Sequence, residues 1–121
     1  MSPWIKELIV AGLDDWILAT DVLGVVSRSN IRDTESLRAL WIGVVAEALA
    51  TGLLEPGDVS DGAFRPWSAS VGDAISKIVS ELDRIGVESI GLGDVVWLRN
   101  TQSGDAAAEE AVASGWDPAQ E

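Results

Sequence analysis

The chain has 121 residues, with 20 acidic and eight basic side chains, a net charge of −12, and no histidine, cysteine or tyrosine. The length fits one domain, and the missing cysteine excludes a disulfide-built scaffold. The charge argues against binding to nucleic acid, which needs clustered lysine and arginine, and against an anionic membrane surface. With 47% apolar residues the chain is no disordered acidic tail, so a charged shell must surround a filled core.

The first helix is predicted over residues 3–12, with Ser2 as N-cap, Pro3 at the first helical position, and Ile5, Leu8, Ile9 and Leu13 as its apolar stripe. The N-terminus has no basic lead, and Lys6 and Glu7 interrupt what would be a signal core. Asp14 or Asp15 then caps a second helix over residues 16–26, where Trp16, Ala19, Val22, Leu23 and Val26 recur at helical spacing.

The third helix is capped by Asp33 or Thr34, and Leu37, Leu40, Trp41, Val44, Val45, Ala48, Leu49 and Gly52 give it a core stripe. Its other side carries Ala39, Gly43, Ala46 and Ala50, small enough to let a second backbone approach, which makes a homodimer contact conceivable beside a plain packing role. Arg38, Glu47 and Thr51 interrupt the apolar window 37–54, so it reads as a buried helix and not a membrane span. The cytoplasm is the expected location.

A turn-rich stretch follows at residues 55–67, then a fourth helix from Ser68 or Ser70 to Ile85, stopped by Gly86. Val71, Ala74, Ile75, Ile78, Val79 and Leu82 form its stripe. A second glycine-rich stretch spans residues 90–99, with a strand over 95–98. Both stretches contain Gly-Asp-Val, a turn pair followed by a β-branched residue. The fifth helix is predicted over residues 105–114, ended by Gly115, with 116–121 a frayed tail after a single domain of residues 1–115. The expectation is an α+β fold, mainly α, of about five helices and a short β-ribbon. Helices followed by a ribbon resemble a winged helix, in arrangement only.

No catalytic set emerges. Without histidine or cysteine, the usual general base, the usual triads and zinc sites of those ligands are all excluded. Asp14 with Asp15 reads as a helix cap, not a carboxylate pair. Residues 58–62 fail as a calcium loop because glycine comes at position 5 and position 12 is Ala69. Gly91-Leu92-Gly93 lacks the third glycine of a dinucleotide loop, and Asp94 would repel phosphate. Neither a cofactor nor a metal is implied. An enzyme would have to run on carboxylates alone, such as Asp58, Asp61 or Asp94.

What remains is a binding protein. Compact, acidic and catalytically empty, the chain is of the physical type of an immunity or antitoxin inhibitor that covers a basic partner. The expected surface combines Asp58, Asp61 and Asp94 with Arg65, Trp67 and Trp97, because tryptophan and arginine are favoured interface anchors. The alternatives are a winged-helix-like assembly or dimerisation module, and a DNA-binding regulator using Arg28, Arg32 and Arg38. Asp33 and Glu35 offset two of those three charges.

Overall fold

The computed structural model describes residues 1–120; Glu121 of the tail lies outside the described residues. Among the described residues, five α-helices and a four-stranded antiparallel sheet make an α+β fold. The elements are α1 (Pro3–Ala11), β1 (Ile17–Leu18), α2 (Ala19–Val26), α3 (Thr34–Ala50), β2 (Leu54–Ser60), β3 (Ala63–Pro66), α4 (Val71–Ile85), β4 (Trp97–Asn100) and α5 (Gln102–Ala113).

Local side chains start the helices. Ser2 Oγ accepts the Ile5 amide at α1, Asp33 the Ser36 amide at α3, Ser70 the Asp73 amide at α4 and Thr101 the Gly104 amide at α5. Gly52 and Gly115, both at positive φ, follow α3 and α5. There the Leu53 and Trp116 amides reach back to the Ala48 and Ala111 carbonyls, which satisfies groups the helix end would orphan.

Three boundaries differ from the periodicity. Helix α2 begins at Ala19, not at residue 16, because Ile17 and Leu18 pair with Leu98 and Trp97 as β1. Asp15 accepts the adjacent Trp16 amide, and it is Asp21 that accepts the Leu18 amide at the true helix start. The strand expected over 95–98 runs over 97–100, because Val95 has φ +70° and cannot continue a strand. Helix α5 starts at Gln102, one turn before Asp105, because Thr101 supplies the cap.

The sheet order is β1-β4-β2-β3. Strands β2 and β3 form a hairpin around Asp61 and Gly62, and β2 also pairs with β4 from Leu54↔Asn100 to Gly57↔Trp97. The hairpin follows α3 as a wing would, but β1 joins the sheet through β4 and not through the hairpin. Free edge strand β3 is short, and Pro66 offers no donor to a passing strand.

Side chains alternate across a strand, so the register assigns two faces. Ile17, Leu54 and Leu98 face the helices and are buried with Ile5, Leu8, Ile9, Val22, Trp41, Ala48 and Leu82 in one core. Trp41 is fully buried, its indole donating to the Ala19 carbonyl at 3.2 Å. This satisfied donor lets the largest side chain sit at the centre. Two stripe residues fall outside: Leu13 lies beyond α1, and Val71 at the start of α4 is exposed. Trp116 is half-buried and borders a recess of about 620 Å³ with Trp4, Pro3 and Pro118.

Candidate protein-interaction surface

The six residues expected to form one surface are divided by the sheet. Asp58 and Arg65 are cross-strand partners on the hairpin. Trp67 joins them by donating its indole N–H to Asp58 Oδ2 at 3.0 Å, while Arg65 Nε donates to Ser60 Oγ at 2.6 Å. Lys77 of α4 places its ammonium 3.9 Å from the Trp67 ring, a cation–π contact that ties the hairpin to the helix. Asp61 sits apart at the hairpin tip, with φ 52°.

Trp97 projects from the opposite face. Alternation places it with Glu55, Gly57, Val59, Phe64 and Arg99. Trp16 joins this face, edge-on to Trp97 with ring centroids 6.1 Å apart and 6.3 Å from Phe64. Arg99 forms an ion pair with its cross-strand neighbour Glu55 and lies 4.4 Å from the Phe64 ring centroid. Trp16 therefore belongs to this half-buried sheet face and not to the core stripe of a helix. Asp94 belongs to neither group: its carboxylate accepts the Gly91 amide at 2.8 Å and closes the turn before β4.

The basic side chains are largely spent on the chain itself. Arg28 pairs with Glu7, Arg38 forms a bidentate pair with Asp83 at 2.7 and 3.1 Å, and Arg84 pairs with Glu81 at 2.8 Å. Arg32 donates to the Ser29 and Ile31 carbonyls. The bond from Arg38 holds the Asp83 carboxyl below its ordinary range, and Arg84 does the same for Glu81. Hydrogen bonds from Ser36 lower Asp33. By contrast Asp14, Glu35, Glu47, Asp61, Asp73, Glu109 and Glu110 are exposed on the surface.

One recess escaped the sequence reading. Between the α1–β1 connection and the start of α5 lies a polar cleft of about 430 Å³, bordered by Asp14, Asp15, Trp16, Arg99, Asn100 and Asp105. Asn100 is the only buried polar or charged side chain among the described residues, at 7% exposure. Its amide nitrogen donates to the Ile9 carbonyl at 2.7 Å and to Asp105 Oδ1 at 3.1 Å, and these two acceptors fix the orientation of the amide. Oδ1 is left without a partner. An orphaned buried acceptor costs about 1–3 kcal/mol, so it marks a place where a donor would be favoured. The sequence held no signal for it: Asn100 stood between a strand and a helix, and Asp105 read as a helix start.

The small-residue stripe of α3 is on the surface. Ala39, Gly43 and Ala50 are exposed and Ala46 is half-buried. A Cβ added at Gly43 would meet nothing within 4 Å. Among the described residues, no helix is long and apolar enough to cross a membrane. No protein-family model, curated protein or solved structure matches the chain.

Proposed function

We propose that this chain is a non-catalytic, acidic protein-binding domain of the immunity or antitoxin type, covering a basic partner. The observation that carries this reading is the one-sided commitment of its charges. Four of the six arginines are held in ion pairs with Glu7, Asp83, Glu81 and Glu55, while among the described residues Asp14, Glu47, Asp61, Asp73, Glu109 and Glu110 stand exposed outside any ion pair. A surface of that kind accelerates encounter with a basic protein and rejects acidic ones. The aromatic group of Trp16, Phe64 and Trp97 offers apolar area, with Asp14 and Asp15 beside Trp16, as binding anchors do.

The test is affinity capture from the native host at low salt, followed by identification of the retained protein and a salt titration. A single basic protein that is released as salt rises supports the reading. Recovery of nothing, or of acidic proteins only, overturns it.

A second reading rests on the stripe of exposed Ala39, Gly43 and Ala50 with half-buried Ala46: two copies of α3 meeting at short distance. Sedimentation at micromolar concentration decides it. Wild type should run as a dimer and Gly43→Leu as a monomer, and a monomeric wild type removes the idea.

A further inference from the structure

We infer that the cleft beside Trp16 is a socket for one arginine or lysine side chain of a basic partner. The inference rests on the binding function proposed above and gives it a site that neither the hairpin nor the turn residues supply. The walls of the cleft present hydrogen-bond acceptors. Among the described residues, Asp105 uses one carboxylate oxygen on Asn100 and keeps the other, Asp15 uses one on the Trp16 amide, and the exposed Asp14 carboxylate makes no hydrogen bond. Asn100 Oδ1 adds the orphaned acceptor at the buried end. The one cation in the wall, Arg99, is already paired with Glu55 and laid against Phe64.

A lining of free acceptors calls for an occupant that carries only donors. Lysine and arginine fit that description and add the positive charge that the carboxylates favour. The volume of about 430 Å³ accommodates either stem and head group. The Trp16 ring beside the carboxylates provides an aromatic wall for the cation. A metal ion is a poorer occupant, since among the described residues no three carboxylates are grouped to hold one. Glycine at position 12 lets the Asn100 amide pack against the backbone at the bottom of the cleft: a Cβ there would stand 2.2 Å from Asn100 Oδ1.

The experiment titrates the full chain with the capped peptide acetyl-Gly-Arg-Gly-amide and with its citrulline counterpart, which has the same shape and no charge. The side-chain amide signals of Asn100 and the indole signal of Trp16 are followed by NMR. The arginine peptide should shift both signals saturably at roughly millimolar concentration, as expected for a single anchored side chain, and the citrulline peptide should not. Asp14→Asn removes an exposed charge that bears no hydrogen bond, and Asp105→Asn keeps an oxygen for Asn100. The double variant should weaken arginine-peptide binding about tenfold with the fold intact.

Equal shifts from both peptides, shifts spread over all exposed carboxylates, or full binding by the double variant would each overturn the socket. If a basic partner is still captured by the double variant as by wild type, the socket is wrong while the binding function stands. Loss of capture for wild type itself would instead remove the function.

Discussion

The tripeptide Gly-Asp-Val occurs twice, and the two copies adopt different backbones. Gly57-Asp58-Val59 lies in the middle of β2, each residue paired with a partner on β3. Gly93-Asp94-Val95 is a turn: Gly93 has φ +79°, Val95 has φ +70°, and the Val96 amide bonds the Asp94 carbonyl two residues back. That last bond closes a γ-turn of the rarer, positive-φ form. Three identical residues thus carry no decision about their own conformation. The decision comes from what each must meet. The first copy continues from Leu54 into a paired strand, while the second has to end a turn and deliver buried Val96 and then Trp97 to the sheet.

Glycine is needed for different reasons in the two copies, and substitution should separate them. Gly57→Ala should be the most damaging change, because its Cβ would sit 2.6 Å from both the Arg65 carbonyl oxygen and the Phe64 ring. Overpacking against backbone there should cost about 3 kcal/mol, read as a lowered denaturation midpoint with unchanged slope. Gly93→Ala meets only the Trp97 ring at 3.5 Å, an ordinary contact, but must hold φ +79°. It should cost about 1–2 kcal/mol in the same measurement. If the two variants lose equal stability, steric space and backbone conformation are not the separate requirements proposed for them.

Valine gives the next contrast. Val59→Gly removes a β-branched side chain from a strand and should cost about 1 kcal/mol. Val95→Gly loses some packing but relieves a conformation that a β-branched residue adopts only under strain, so it should be within about 0.5 kcal/mol of wild type. A larger loss at position 95 than at 59 would show that packing, not conformation, governs that site.

Replacing the two aspartates should cost about as much as Val59→Gly, but the two changes differ in what they disturb. Asp58→Ala frees the Trp67 indole and should alter tryptophan fluorescence, with a stability loss of about 1 kcal/mol. Asp94→Ala opens only the turn to Gly91 and should cost a similar amount without touching Trp67. Matching fluorescence changes in both variants would contradict the assignment of Trp67 to Asp58 alone.

The division of the expected surface has the same origin. Asp58, Arg65 and Trp67 come together because hairpin register and a short connection bring them to one side of the ribbon. Trp97 points the other way because β4 begins at Trp97 and alternation assigns faces from that register. Its ring partner Trp16, and Phe64 beyond it, are distant in sequence, and nothing in any of these neighbourhoods names the others.

The sequence by itself determined the helical elements, most of their caps and the mixed fold class. Helix periodicity and capping act within a few residues, so Ser2, Asp33, Ser70, Gly86 and Gly115 could be read locally. It also determined the charge imbalance and the lack of histidine and cysteine chemistry. Only the tertiary structure decided the strand order, the pairing of Ile17 and Leu18 that delays α2, the γ-turn at Val95, and the cleft that joins Asp14 and Trp16 to Asn100 and Asp105. Those features depend on contacts between residues as many as 91 positions apart, as in the bond from Asn100 to Ile9, and a one-residue change of register reassigns every side chain along a strand.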